Sequence, residues 1–86
     1  MQIDFTKQFI KQYNKQSGKI QDRFNARLKL FEQDQNKPIL NVHALSGKYQ
    51  GYSSINITGD IRAIFKRQGD TIIIFAFIGS HSQLYG

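Results

Sequence analysis

Residues 58–86 read TGDIRAIFKRQGDTIIIFAFIGSHSQLYG: two apolar runs, a turn between them, and a short polar tail. In the first run Ile61, Ala63 and Phe65 alternate with Arg62, Ile64 and Lys66, the period of two that a strand imposes. Gln68-Gly69-Asp70 supplies a turn, and Thr71 to Ile78 is apolar on both faces, which marks a central strand. In an antiparallel hairpin the start of one strand lies beside the end of the other. Asp60 and Arg62 therefore share a sheet edge with His81 and Tyr85. A carboxylate, a guanidinium, an imidazole and a phenol in one place point to phosphate chemistry or phosphate binding.

Working back toward the N-terminus, Gly59-Asp60 makes a tight turn after a strand over Tyr52 to Thr58. Ser53, Ile55 and Ile57 lie on one face of that strand, Ser54 and Asn56 on the other. Pro38 to Gly51 reads as a loop anchored by Ile39, Leu40, Val42 and Leu45. Before it, Ile20, Phe24, Leu28 and Phe31 form one apolar stripe of a helix that ends near Gln33–Gln35. Phe9, Ile10 and Tyr13 mark a first helix over about residues 6–15, capped by Asp4 or Thr6, with Ser17 placed to cap the second. Gln2 to Phe5 is a short first strand. The order is β-α-α-β-β-β in a single α+β domain over residues 1–86, a small antiparallel sheet with a helical hairpin packed on one face. Ile55, Ile57, Ile61, Ala63 and Phe65 then turn toward the helices, and Asn56 and Arg62 toward an open face where a ligand enters.

At 86 residues the chain has one modest core. It has no cysteine, which excludes disulfides and thiolate metal sites and favours a cytoplasmic location. The N-terminus lacks an apolar leader, and the longest apolar run, Ile72 to Ile78, is too short to span a bilayer, so no membrane partner is expected. Twelve Lys and Arg against six Asp and Glu leave +6 and a pI near 9.8, a balance that favours a polyanionic partner. The cations are ordered: Lys7, Lys11 and Lys15 line one helix and Lys19, Arg23 and Arg27 the other. Parallel basic rows on adjacent helices suit a nucleic-acid backbone, with Lys48, Lys66 and Asn56 as further RNA contacts.

Each candidate also has an ordinary explanation. A loop histidine such as His43 is commonly just exposed, Asp60 is a common turn residue, and Tyr85 suits a plug over the end of a core. Without HxH or HxxH spacing, no metal site is expected.

Together the residues resemble a family. The segment His43-Ala44-Leu45-Ser46-Gly47, Tyr49, Gly51-Tyr52, Gly59-Asp60-Ile61-Arg62-Ala63-Ile64-Phe65 and the closing Ile78-Gly79-Ser80-His81-Ser82-Gln83-Leu84-Tyr85-Gly86 is similar to the RelE/ParE toxin superfamily. The C-terminal motif resembles the YafQ branch in particular. The resemblance implies the toxin of a type II toxin–antitoxin pair, an mRNA interferase that enters the ribosomal A site, cuts mRNA and is silenced by a cognate antitoxin. It also implies a catalytic set of His43, Asp60, His81 and Tyr85, with Arg62 contacting phosphate. Asn56 stands where that branch carries a histidine, and an amide moves no proton near neutral pH.

The chemistry of the set agrees with metal-free RNA cleavage without a cofactor. An attack of the 2′-OH on the adjacent phosphate needs a base, an acid for the departing oxygen and positive charge on the phosphorane. His81 suits proton transfer to the 5′ oxygen, Asp60 or His43 suits the 2′-OH, Arg62 suits the phosphorane, and Tyr85 suits a base or a phosphate. Two alternatives on the same fold remain: a non-cleaving RNA- or ribosome-binding protein, and a ParE-type gyrase inhibitor.

Overall fold

The computed structural model describes residues 1–86. Strand β1 (Gln2–Phe5) leads into helices α1 (Lys7–Asn14) and α2 (Gly18–Gln33). After a 3-10 turn at Pro38–Leu40 come β2 (His43–Ala44), a second 3-10 turn at Gly47–Tyr49, and β3 (Ser53–Asn56). Strands β4 (Ile61–Gln68) and β5 (Ile72–Ser80) follow, and α3 (His81–Tyr85) ends the chain. The sheet order is β1-β5-β4-β3-β2.

Both long helices begin where the sequence indicates. The Thr6 hydroxyl accepts from the Phe9 amide at 3.0 Å and the Ser17 hydroxyl from the Ile20 amide at 3.3 Å, each satisfying an orphan donor of a first turn. Their apolar faces meet the sheet. Phe9, Phe24, Phe31, Leu40, Ile55, Ile57, Ala63, Phe65, Ile73, Phe75 and Ile78 form the main core, with Ile61 packed against it half-buried. Ile55, Ile57, Ala63 and Phe65 thus face the helices as their alternation requires.

Four features depart from the sequence reading. The sheet is not wholly antiparallel, because β1 pairs in parallel with β5 (Gln2 opposite Ile72, Phe5 opposite Phe75). Thr71 to Ile78 is central as expected, with β1 on one side and β4 on the other. The loop before β3 contains a short edge strand, since His43 pairs with Ser54 and Ala44 with Ser53. The polar tail is helical: the Ser80 hydroxyl accepts from the Gln83 amide, and the Gln83 side chain accepts from the Ser80 amide in a capping box. Finally, the face away from the long helices is not open throughout. Tyr49, Ile64 and Leu84 form a second buried cluster there, flanked by Leu45, Tyr52 and Phe77.

A bulge explains how β5 serves both clusters. Ile64 pairs with Phe77 but Phe65 with Phe75, so Ala76 is an extra residue in β5. The inserted residue shifts the alternation. Ile73 and Phe75 face the long helices before it, and Ile78 does so after it, while Phe77 joins the second cluster. The Ala76 carbonyl accepts from the Thr6 hydroxyl at 3.0 Å, so the bulged group does not go unpaired.

Phe75 lies at the centre, its ring 5.5 Å from those of Phe24 and Phe65, 5.8 Å from Phe31 and 5.9 Å from Phe9. Phe75→Ala is expected to cost about 3–5 kcal/mol, most of what a small domain has. Urea unfolding measures it, and a loss below about 1 kcal/mol would contradict this packing.

Candidate functional site

Four elements meet at one end of the sheet. Arg62 lies opposite Gly79, and Ile61 opposite Ser80, in the β4–β5 ladder. That register sets the first turn of α3 beside Arg62, as the hairpin geometry requires. His43 arrives from β2, separated from β5 by β4 and β3. The result is a cleft of about 150 Å³ lined by His43, Leu45, Ser54, Arg62, Ile64, His81, Leu84 and Tyr85.

Gly79 lets α3 lie down on the sheet. A Cβ there would stand 2.9 Å from Gln83 Oε1 and 3.6 Å from Leu84 Cγ. The far end of α3 is held by two donors on the Leu84 carbonyl, the buried Tyr49 hydroxyl at 2.7 Å and Lys48 Nζ at 3.0 Å. Leu84 is buried beneath the helix. The ring of Tyr85 stacks on His81 at 4.8 Å and 26°, and meets the Tyr49 ring edge-on at 5.1 Å. Tyr85 remains 42% exposed, leaving ring surface for a ligand.

The two histidines differ in their surroundings. His81 is exposed at the start of α3, its ring on Tyr85. His43 is exposed too, but both ring nitrogens have partners: Nδ1 lies 2.8 Å from the Asn41 carbonyl and Nε2 3.3 Å from the Ser54 hydroxyl. Arg62 donates through Nη1 to the carbonyls of Thr58 at 3.0 Å and Gly59 at 3.2 Å. Nη1 also lies 3.3 Å from the Ile61 carbonyl, while Nη2 and Nε donate to no protein acceptor.

Asp60 does not line this cleft. It sits exposed in the β3–β4 turn, where its amide donates to the Thr58 hydroxyl. No group of three or more His, Asp or Glu side chains is placed to hold a metal ion.

The expected RNA contacts divide among several places. Lys19, Arg23, Arg27, Asn56 and Thr58 line a separate cleft of about 610 Å³ with Ile20, Ile39 and Gly59. Arg27 is no solvated surface cation. It donates to the carbonyls of Ile39 at 3.0 Å and Asn56 at 3.1 Å, tying α2 to β3 and the loop. Burial, and then the neighbouring Arg23 cation, hold its guanidinium below the ordinary arginine value. Asn56 belongs to this cleft and not to the histidine one, and its Oδ1 is buried without a partner. Lys7, Lys11 and Lys15 are exposed. Lys66 is also exposed, its ammonium 5.9 Å from the Tyr52 ring, whereas Lys48 is partly committed to α3.

Ser54 and Asn41 lie outside the candidate set that the sequence indicates, and Tyr49 enters it only through the family resemblance. Ser54 occupies the strand face that also carries Asn56, so strand alternation was a signal for it. The Ser80-x-x-Gln83 spacing was a signal for α3. Nothing local marks Asn41.

The chain is similar to known toxins. The family model described as bacterial toxin of type II toxin–antitoxin system, YafQ, matches residues 1–86. No curated protein matches the sequence. Among solved structures, YafQ from E. coli strain BL21(DE3) superposes with a TM-score of 0.83 at 19% identity, over 98% of this chain and 97% of that one. The E. coli DinJ-YafQ toxin–antitoxin complex gives 0.80 at 20%, over 98% and 96%. The RelB-RelE antitoxin–toxin complex from Methanococcus jannaschii gives 0.75 at 25%, over 95% and 94%.

The anchoring of α3 is testable. Tyr49→Phe removes one of two donors to Leu84 and is expected to cost about 1 kcal/mol, with faster amide exchange in residues 82–86. Burial also raises the Tyr49 phenol above its ordinary value of 10.0. Its contribution to stability is therefore full below that value and lost as the pH rises through the higher folded one. Denaturation at pH 8 and pH 11 should show a smaller alkaline loss in Tyr49→Phe than in the parent. An equal loss would contradict the assignment.

Proposed function

The chain belongs to the YafQ family of type II toxin–antitoxin toxins, and on that premise we propose that it is a metal-independent endoribonuclease that cuts mRNA in the ribosomal A site. The observation that carries this reading is the cleft in which His43, Arg62, His81 and Tyr85 meet. In the reaction, His43 Nε2 takes the proton of a ribose 2′-OH. The freed oxygen attacks the adjacent phosphorus in line, and Arg62 balances the charge that develops on the phosphorane. His81 gives a proton to the departing 5′ oxygen, which leaves a 2′,3′-cyclic phosphate and a 5′-OH. Tyr85 stacks on a base beside the scissile bond. The position of Asp60 outside the cleft favours His43 as the base.

Few groups act, so the site depends on outside help. A ribosome that holds mRNA in line supplies orientation, which is worth roughly 7–11 kcal/mol of barrier. The cleft of Lys19 and Arg23 and the row Lys7, Lys11 and Lys15 then dock on ribosomal RNA. Translation is inhibited as a result, in the cytoplasm. No helix is long and apolar enough to cross a membrane.

The protein partner is an antitoxin, as the names of the two relatives' complexes indicate for those proteins. A net charge of +6 suits an acidic segment that folds on binding. A groove of about 330 Å³ lined by Phe5, Phe9, Ile10, Tyr13, Phe24 and Leu28 offers such a segment an apolar seat on the helical hairpin.

In a second reading the toxin occupies the A site without cutting, since Asn56, where the family resemblance implies a histidine, is an amide that transfers no proton and lies outside the histidine cleft. Primer extension on a translated mRNA separates the two. Cuts that need ribosomes and vanish in His81→Ala support the nuclease. Blocked translation without cuts supports the binder, and impaired DNA supercoiling with normal translation would support a gyrase inhibitor instead.

Lys19→Gln with Arg23→Gln should weaken cosedimentation with ribosomes and leave the thermal midpoint within a few degrees of the parent. Arg27→Gln should lower that midpoint as well, since it leaves the Ile39 and Asn56 carbonyls unpartnered. Undiminished sedimentation of the double variant would count against docking through this cleft.

A further inference from the structure

His43 is held at both ring nitrogens by residues with no other assigned part in the site. The Asn41 carbonyl, 2.8 Å from Nδ1, can only accept, so Nδ1 carries a proton. In the neutral ring Nε2 is then the acceptor. The Ser54 hydroxyl is its neighbour at 3.3 Å, and Ser54 lies directly opposite His43 in the β2–β3 register. Ser54 is also the one buried polar residue of the protein, 2% exposed.

Asn41 is unusual as well. It is the sole non-glycine residue with positive φ, at 47°. Its ψ of 51° completes a left-handed conformation at the end of the Pro38–Leu40 turn. Asparagine enters that region at lower cost than most residues. A backbone outlier beside a candidate site invites a functional explanation, and here the twisted peptide presents the carbonyl that His43 uses.

We propose that Asn41 and Ser54 are positioning residues that clamp His43 in its Nδ1-protonated tautomer, with Nε2 directed into the cleft. The two partners differ in kind. The Asn41 carbonyl is fixed, whereas the Ser54 hydroxyl rotates with the charge of the ring. It donates to Nε2 of neutral imidazole and accepts from Nε2–H once the ring has taken a proton. Both charge states of a proton-transfer cycle therefore keep a full set of partners. At 3.3 Å the Ser54 contact is long for a hydrogen bond, so a substrate hydroxyl can displace it. The charged and titratable side chains that line the cleft with His43 are Arg62, His81 and Tyr85. None of them contacts Nδ1.

The catalytic consequence rests on the ribonuclease reading, but the clamp itself does not. Nitrogen-15 spectra of the histidine rings in the full-length protein read the tautomer directly. Wild type, Asn41→Gly and Ser54→Thr should show His43 protonated at Nδ1 in its neutral form. Asn41→Val, which disfavours positive φ, should show a mixture with the Nε2-protonated form, and Ser54→Ala should keep the Nδ1-protonated form with its Nε2 signal shifted by the lost hydrogen bond. Ribosome-dependent cleavage should fall about 10- to 100-fold in the last two, through kcat and not KM, as expected for a misaligned base. It should stay near wild type in Asn41→Gly and Ser54→Thr.

A wild-type ring protonated at Nε2 would overturn the inference. So would nitrogen signals unchanged in both Asn41→Val and Ser54→Ala. If the tautomer shifts as stated but wild type never cleaves RNA, the clamp stands and the ribonuclease reading fails.

Discussion

The antiparallel ladder between β4 and β5, with its bulge at Ala76, is the constraint on which the rest depends. Strand side chains alternate strictly, so one inserted residue exchanges the faces of everything beyond it. Here the exchange sends Ile78 to the helical side and Phe77 to the other, letting a single strand serve two clusters. The same ladder sets Arg62 opposite Gly79, and the glycine admits α3 against the sheet. Remove the bulge and the site loses its floor, because Leu84 and Tyr85 pack where Tyr49, Ile64 and Phe77 are gathered.

The arrangement suits a chain with little stability to spare. A dense set of aromatic contacts around Phe75 supplies the main core on one side of the sheet. The second side is only partly covered, by α3 and the Gly47–Tyr49 turn. The uncovered edge of that second layer is the cleft, so its side chains are held by packing at their bases and reach solvent at their tips. His43, Arg62, His81 and Tyr85 come from three different elements, and each element is secured independently by pairing or by a cap.

Much of this was legible in the residues. Period-two alternation gave β4 its faces, the Ile20–Phe31 stripe gave α2, and the hydroxyls of Thr6 and Ser17 marked both helix starts. The meeting of Arg62 with His81 and Tyr85 followed from hairpin geometry alone. What escaped lacked a local signal. A four-residue strand such as β1 carries no sign of its partner or direction, and β2 is too short to show a period. The bulge hides in β5 because a run that is apolar on both faces looks the same with one residue added. Hairpin geometry and the family resemblance both point to Asp60, but the β3–β4 turn leaves it exposed and outside the cleft. Arg27 looked like one more surface cation, and only the fold shows the two carbonyls that it serves. Ser54 read as an ordinary polar alternate until the edge strand placed His43 opposite it.

The central claim is that this cleft cuts RNA by internal attack of the 2′-OH, and the chemistry of the cut ends tests it most directly. Purified protein, ribosomes and an end-labelled mRNA would be incubated together and the fragments treated with enzymes that distinguish terminal phosphates. The account predicts upstream fragments ending in a 2′,3′-cyclic phosphate and downstream fragments beginning with a 5′-OH, formed only with ribosomes present. Fragments with a 3′-OH and a 5′-phosphate would contradict it, and so would an intact message.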